Sequence, residues 1–350
     1  MSLLPGVRSR TLDTSRLRMH VLESGPADGA PVVLLHGNLS TGRFYEHLMP
    51  GAPGRYRPIV PDMRGFGDTE FKPIDASRGL ADWADDTRAL LDALGVDAPP
   101  HLAGWSTGGA AIAAYAARWP VASLTLIDPV SPFGYGGVRR DGTPCFPDYA
   151  GSGGGIASPD FVQRLEAGDR TTESAASPRN VMNTSYWAPT HRVAPDREEV
   201  LLDELLRSRT GDDGYPGDAV PSENWPGVAP GSRGILNALS PKHCNWAGVV
   251  DLDPKPPILW THGTADIVVA DGAAWELGTL GQAGHVPGWP GEDVFPPQPM
   301  ISQIRDVLDR YRAAGGRVEI ELFEGSGHFP PIDAQERWSA TFFAFLDSVA

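Results

Sequence analysis

The chain is 350 residues long, which is enough for a large hydrophobic core, and it carries a formal net charge of −15 at neutral pH. This acidic balance argues against nucleic acid and anionic membranes as partners, because both are themselves negatively charged. The first residues contain no apolar stretch of signal-peptide length, and no segment reaches the ~18 apolar residues of a membrane helix, so we expect a cytoplasmic protein.

The two cysteines, Cys145 and Cys244, form no Cys-x-x-Cys motif. Free thiols are therefore favoured over a bridge, and neither zinc nor redox chemistry is indicated.

Strands and helices alternate along most of the chain. A strand pair is predicted over residues 7–24, and the predicted strands that follow cover residues 32–36, 58–61, 101–105, 124–128, 258–261 and 318–323. The predicted helices cover residues 80–94, 108–119, 299–314 and 334–349. Several of these strands are continuous apolar runs, as expected for strands covered on both faces. The alternation therefore predicts an α/β fold with a mostly parallel sheet between two layers of helices.

Residues 133–255 differ in composition from the rest of the chain. Gly, Pro, Ser and Asp dominate there, and one clear helix is predicted at residues 197–209. Aromatic side chains spread through the segment indicate that it is packed rather than disordered. We therefore predict a core formed by residues 1–132 and 256–350, and a cap or lid formed by residues 133–255.

The most informative motif reads Gly-Trp-Ser-Thr-Gly-Gly and runs from Gly104 to Gly109, between a predicted strand and an Ala-rich helix. Glycines beside the serine remove side chains that a sharp turn would drive into neighbouring backbone. The turn lifts the Ser106 hydroxyl above the strand ends. A serine in a Gly-x-Ser-x-Gly pattern with this strand–turn–helix context is typical of a nucleophile.

This motif resembles the nucleophile elbow of the α/β-hydrolase superfamily. Residues 31–38 are similar to the family's early core strand with its His-Gly oxyanion loop, and residues 61–67 to its next strand-end loop. Residues 258–266 and 324–329 resemble its acid and histidine loops. The resemblance covers roughly residues 15–130 and 255–350, and it implies the α/β-hydrolase fold, with the cap inserted after the sixth core strand. The chain also resembles bacterial lactonases that open the macrocyclic lactone of the mycotoxin zearalenone.

The resemblance also implies the partners of the nucleophile. His328, in the loop after the last predicted strand, is the expected general base. Asp266, after the seventh strand, is the expected acid that holds the histidine tautomer. Asp128, at the end of the sixth strand, is the alternative acid, because some branches of the family place it there. Asp271 and Asp333 are expected at the surface.

Two backbone amides are the expected oxyanion donors, those of Asn38 and Thr107. His36 is expected to brace the oxyanion loop. The His-Gly-Asn sequence that contains Asn38 also resembles haloalkane dehalogenases, but those enzymes use an aspartate nucleophile, and Ser106 argues against that chemistry.

An aromatic cap suits a bulky, partly apolar substrate. The candidate substrate contacts are aromatic or histidine side chains beside the elbow or in the cap, and they are Trp105, Phe133, Tyr186, Trp187, His191, Trp225 and Trp246. Trp105 is expected in either the pocket wall or the core. The sequence contains no phosphate loop, dinucleotide fingerprint or metal-ligand cluster, so no cofactor and no metal are expected.

Together these features predict a serine hydrolase that cleaves a carboxylic ester or lactone of a small molecule through an acyl-enzyme intermediate. The alternatives are a carbon–carbon bond hydrolase, an amidase or a cofactor-free perhydrolase, because one fold and triad serve all of them. A different class is a non-enzymatic receptor that binds a small ligand in the same pocket. The complete set of nucleophile, base, acid and oxyanion donors favours turnover. The substrate, the oligomeric state and any movement of the cap stay open at this point.

Overall fold

The computed structural model describes residues 2–349 and contains twelve strands. They are β1 (Arg8–Asp13), β2 (Arg18–Glu23), β3 (Ala30–Leu35), β4 (Tyr56–Pro61), β5 (His101–Trp105), β6 (Ser123–Ile127), β7 (Thr210–Gly211), β8 (Tyr215–Pro216), β9 (Ala219–Pro221), β10 (Val228–Pro230), β11 (Ile258–Gly263) and β12 (Val318–Phe323). Eight of them form one sheet in the order β1-β2-β4-β3-β5-β6-β11-β12. β2 is antiparallel to both of its neighbours, and the other pairs are parallel. All predicted strands are confirmed, with ends shifted by at most two residues.

Ten α-helices accompany these strands in the described part of the chain. They are α1 (Ala81–Ala93), α2 (Thr107–Ala116), α3 (Pro159–Glu166), α4 (Pro178–Ser185), α5 (Pro195–Leu205), α6 (Ile235–Ala238), α7 (Leu277–Gln282), α8 (Met300–Ala313), α9 (Pro330–Asp333) and α10 (Gln335–Ser348). Successive side chains of a strand point to opposite faces of the sheet, and every residue of β5 and β6 is buried. The centre of the sheet is therefore covered on both faces, as the apolar runs predicted.

The long segment between β6 and β11 is folded rather than irregular. It contains α3 to α6 and two small sheets, one of β7 with β8 and one of β9 with β10. The one predicted helix is present as α5, but α3, α4 and α6 were not expected. α3 and α4 are eight residues long and begin with Ser-Pro, where the serine is the N-cap and proline is the first helical residue.

Among the contacts that tie this segment to the core, two lie close to the predicted site loops or at the start of α5. The Tyr186 hydroxyl lies 3.1 Å from the carbonyl oxygens of both Asn38 and Leu39. Arg197 at the start of α5 forms an ion pair of 2.6 Å with the fully buried Glu46. The first contact holds the inserted segment directly against the oxyanion loop, so the segment helps to shape the site.

Both cysteines are free thiols in the structure. No helix among residues 2–349 combines the length and the apolar character that crossing a bilayer requires.

Candidate active site

The turn after β5 has the strained geometry expected of a nucleophile elbow. Ser106 has φ 52° and ψ −113°, a backbone conformation that residues other than glycine rarely adopt. The flanking glycines are required by close backbone contacts. A Cβ on Gly104 would lie 2.2 Å from the Gly108 carbonyl oxygen, and one on Gly108 would lie 2.4 Å from that of Leu35. The elbow therefore depends on glycine at both positions.

Backbone strain is concentrated at the carboxyl ends of the central strands. Among residues 2–349, four non-glycine residues have a positive φ, and three of them are Leu39, Ser106 and Asp128. They follow β3, β5 and β6, which are neighbours in the sheet. In α/β sheets ligands bind at this edge, and strained residues that persist there are commonly functional.

The structure brings His328 and Asp266 together. His328 Nδ1 lies 2.8 Å from Asp266 Oδ2, and both side chains are buried. Because a carboxylate only accepts, Nδ1 carries the proton and Nε2 is left free to act as a base. His328 lines the same cavity as Ser106. The Trp105 indole donates to the His328 carbonyl oxygen at 2.7 Å, which ties the histidine loop to the elbow.

Asp266 is held by backbone donors on its other oxygen. Oδ1 accepts hydrogen bonds from the amides of Val268 at 2.7 Å and Val269 at 3.2 Å. Burial alone would raise the pKa of Asp266, but the charge and hydrogen bond of His328 outweigh burial and keep that pKa below its usual range. The carboxylate is therefore ionised and oriented towards the histidine.

The two residues expected to supply the oxyanion donors have backbone amides without an acceptor in their own elements. Thr107 is the first residue of α2, so its amide has no acceptor within the helix. The Asn38 amide donates to no acceptor among residues 2–349, whereas the Asn38 side-chain oxygen accepts from the amide of Leu39 at 3.0 Å. Both residues line the cavity with Ser106. The side chain of Asn38 thus shapes its own loop.

His36 connects the oxyanion loop to the loop after β4. Its Nε2 accepts from the Met63 amide at 2.9 Å, so its Nδ1 carries the proton that is donated to the Gly37 carbonyl at 2.7 Å. Burial lowers the pKa of His36 from 6.5 to about 4. The ring is therefore neutral at physiological pH, and it braces the loop as expected from the sequence.

This pKa predicts a pH-dependent stability. Between about pH 6.5 and 4 the unfolded chain binds a proton at His36 that the folded chain does not, so stability falls as the pH falls, by up to about 3 kcal/mol. Replacing His36 by glutamine removes this component. The variant is expected to be less stable than the wild type at pH ~7, and the gap is expected to shrink by up to about 3 kcal/mol at pH ~4. Urea unfolding of both proteins across this pH range measures the difference in unfolding free energy. A difference that does not change with pH would contradict the prediction.

Asp128, the alternative acid, lies behind Asp266 rather than beside the histidine. Its Oδ1 accepts from the Gly263 amide at 2.8 Å. His262 lies between the two acids, with Nε2 3.4 Å from Asp266 Oδ2 and 3.7 Å from Asp128 Oδ1, and it donates to the Val269 carbonyl at 3.0 Å. The geometry therefore favours Asp266 as the partner of His328.

A cavity of about 380 Å³ lies over Ser106. Its walls are mostly apolar and come largely from the inserted segment, with Ile156, Phe161, Val181, Tyr215, Leu236 and Leu239 among them. Of the seven predicted substrate contacts, Trp105 and Tyr186 line this cavity. Their rings meet edge to face at 5.2 Å, so Trp105 belongs to both the wall and the core.

The other five predicted contacts do not line the wall of this cavity among residues 2–349. Phe133 packs against the backbone of a nearby turn, and Trp187 is buried behind the histidine loop. The indoles of Trp225 and Trp246 donate to backbone carbonyls. His191 lines a separate polar depression of about 220 Å³. These five side chains therefore lie outside the wall of the cavity, and a substrate contact at any of them stays a prediction.

Asp333 is a residue whose role the sequence did not indicate. It was expected at the surface, but it is half-buried and accepts from the amides of Gly327 and Ala188, each at 2.8 Å, and from the Ser326 hydroxyl. It thereby joins the loop of His328 to the segment after α4. No local motif marks such a bond, because its donors are backbone amides that any residue supplies.

The Alpha/beta hydrolase family matches the chain over residues 32–341. The chain belongs to this family. It is 42% identical over 100 residues to a cis-3-alkyl-4-alkyloxetan-2-one decarboxylase of Xanthomonas campestris pv. campestris, over 27% of this chain and 33% of that protein. The chain thus spans about a third of the length of this curated relative.

Solved structures match nearly the whole chain. A thermophilic esterase from Thermogutta terrifontis has a TM-score of 0.57 and 18% identity, covering 98% of this chain and 99% of that one. The N-acyl homoserine lactonase AidH, in complex with N-hexanoyl homoserine, has a TM-score of 0.52 and 19% identity, covering 98% of each chain. These likenesses concern the fold, and together with the family match they confirm the predicted α/β-hydrolase fold.

Proposed function

We propose that this hydrolase cleaves a carboxylic ester or lactone of a bulky, partly apolar small molecule through an acyl-enzyme intermediate. The observation that carries the proposal is the hydrogen bond between His328 Nδ1 and Asp266 Oδ2 at the edge of the cavity that contains Ser106. This bond orients the imidazole and leaves Nε2 free to take the serine proton.

The reaction has two symmetrical halves. Ser106 Oγ attacks the carbonyl carbon while His328 Nε2 takes the hydroxyl proton, and the carbonyl electrons move onto oxygen. The amides of Asn38 and Thr107 stabilise that oxyanion, each contributing about 3 kcal/mol by analogy with other serine enzymes. The alkoxide then leaves and receives the proton from His328. Water, deprotonated by His328, then attacks the acyl carbon; the bond from that carbon to Ser106 Oγ breaks, His328 returns the proton to Oγ, and the carboxylic acid is released.

The cavity indicates the substrate class. A volume of about 380 Å³ with apolar walls suits a compound with a substantial hydrocarbon or aromatic part. Trp275 lines the cavity and is 43% exposed, so it offers an aromatic surface to a part of the substrate that extends towards solvent. Lactones fit this description, and a macrocyclic lactone of the zearalenone type is one candidate. The names of the oxetanone-acting relative and of the lactonase neighbour support this choice of bond.

The test combines turnover with active-site labelling. The purified protein is offered p-nitrophenyl esters of short and medium chain, a panel of macrocyclic lactones and matched anilides, and it is also treated with a fluorophosphonate. We expect ester or lactone turnover together with labelling of Ser106. Ser106→Ala is expected to lose the label, whereas Ser185→Ala, which changes another serine of the same cavity wall, is expected to retain it.

Each other outcome points elsewhere. Labelling without ester or lactone turnover would reject the proposed hydrolysis of an ester or lactone bond. It would favour an amidase, a carbon–carbon bond hydrolase or a perhydrolase. Failure of both labelling and turnover would reject catalysis by Ser106 and favour a ligand-binding protein.

A further inference from the structure

Asp128 has a fully buried carboxyl group that lacks a cationic partner. It lies directly after β6 in the left-handed region, with φ 40° and no exposed surface. Its Oδ1 accepts from the Gly263 amide, but its Oδ2 accepts a hydrogen bond from no donor among residues 2–349. A buried carboxylate without a cation or a full set of donors is strongly unfavourable. The group must therefore either find a cation or hold a proton.

The surroundings supply no cation. The titratable groups that face Asp128 are Asp266, Asp333, His262 and Tyr45, with His328 beyond Asp266. No lysine or arginine of the described residues forms an ion pair with it. His262 is kept neutral, because burial lowers its pKa and its Nε2 proton is donated to the Val269 carbonyl. Every neighbour of Asp128 is thus an acid or a neutral group.

Two carboxyl groups here share one site. An oxygen of Asp128, an oxygen of Asp266 and a ring nitrogen of His262 lie within 4.8 Å of one another. Two buried carboxylates this close do not both stay ionised. Asp266 keeps the charge because it accepts from two amides and from His328, whereas Asp128 accepts from one amide. Burial and the charge of Asp266 accordingly raise the pKa of Asp128 well above its ordinary range.

We propose that Asp128 is a positioning residue: it is a neutral carboxylic acid that donates a hydrogen bond from Oδ2 to the carboxylate of Asp266. The bond fixes the Asp266 side chain behind His328. Because Asp128 is uncharged, it adds no second negative charge beside the Asp266–His328 pair. The catalytic part of this inference rests on the proposed function, whereas the protonation state does not.

The first test measures protonation without catalysis, using Asp128→Asn. Asparagine is isosteric, tolerates a positive φ, can accept from Gly263 and can donate to Asp266. In the wild type, the folded chain holds a proton at Asp128 that the unfolded chain has released. The folding equilibrium constant of the wild type, relative to that of Asp128→Asn, is therefore expected to fall about tenfold per pH unit between about pH 5 and 7.

A matched control uses Asp85→Asn. Asp85 is also buried but is paired with Arg78 and Arg118, which together with its hydrogen bonds hold its pKa low against burial, so it is ionised in both states at these pH values. The ratio of the folding equilibrium constants of the wild type and Asp85→Asn is therefore expected not to change with pH. A flat ratio for Asp128→Asn as well would show that Asp128 is ionised, and would overturn the proposal.

The second test is kinetic. Asp128→Asn is expected to lower kcat less than about fivefold, and Asp128→Ala, which removes the donor to a charged group, about 10- to 100-fold, both with little change in KM. Neither variant is expected to move the acid limb of the kcat/KM profile. A shift of that limb to lower pH in Asp128→Asn would mean that a negative charge had been removed, and equal losses in both variants would mean that no donated hydrogen bond is used. Either result would overturn the positioning role.

The two tests separate the two proposals. If no ester or lactone is turned over by any variant, the proposed function fails, while the folding measurement still decides whether Asp128 holds a proton.

Discussion

Replacing Ser106 by alanine is expected to lower kcat/KM for ester or lactone hydrolysis by on the order of 10⁶-fold, as removal of the nucleophile does in other serine hydrolases. The covalent step is lost entirely, and the oxyanion donors and the cavity can contribute only the small residual rate. Because the side chain is small and the strained backbone is retained, the unfolding free energy is expected to change by less than about 1 kcal/mol.

The measurement pairs initial rates with equilibrium unfolding and ligand binding. Quenching of the indole fluorescence of Trp105 and Trp275, which both line the cavity, reports binding of a substrate or product to the inactive variant. We expect binding to remain near the wild-type level. A residual rate within about tenfold of the wild type would show that another group is the nucleophile.

Replacing Asp266 by asparagine is expected to reduce kcat by about 10⁴-fold, the effect seen when the triad acid of a serine protease is changed in this way. Asp266 Oδ2 lies 2.8 Å from His328 Nδ1, and an ionised carboxylate there stabilises the tautomer in which Nδ1 carries the proton. The asparagine amide can donate to Nδ1 instead, which favours the tautomer with a proton on Nε2. That tautomer cannot take the proton of Ser106.

Asp128→Asn is the matched comparison, because it is the same chemical change on a neighbouring buried acid. Steady-state kcat is measured for both variants with one ester and one lactone. A loss of about 10⁴-fold in Asp128→Asn together with a loss below about tenfold in Asp266→Asn would identify Asp128 as the triad acid and contradict this assignment.

Much of the core was predictable because its signals are local. The elbow is marked by glycines at 104 and 108, whose Cβ atoms would lie within 2.4 Å of backbone oxygens. The central strands are marked by continuous apolar runs, which reflect burial on both faces. The family resemblance then placed Ser106, His328 and Asp266 on loops that the sheet order brings to one edge.

The inserted segment was less predictable for equally physical reasons. Its helices α3, α4 and α6 are four to eight residues long, so they show too few turns for a periodic pattern, and tertiary packing stabilises them. The Ser-Pro pairs at 158 and 177 stand at the beginnings of α3 and α4, but a Ser-Pro pair without a periodic apolar pattern after it does not predict a helix. Composition showed that the segment is packed but not which side each aromatic ring faces.

The sequence by itself determined the fold, the family and the chemical types at the strand ends, because short-range backbone and burial constraints select those residues. Only the tertiary structure decided which of two acids, Asp266 or Asp128, meets His328, and which aromatic side chains form the cavity wall. It also showed that Asp333 holds the histidine loop through backbone amides. The contact of Asp266 with His328 joins residues 62 positions apart, and that of Asp333 with Ala188 joins residues 145 positions apart, so no local pattern encodes them.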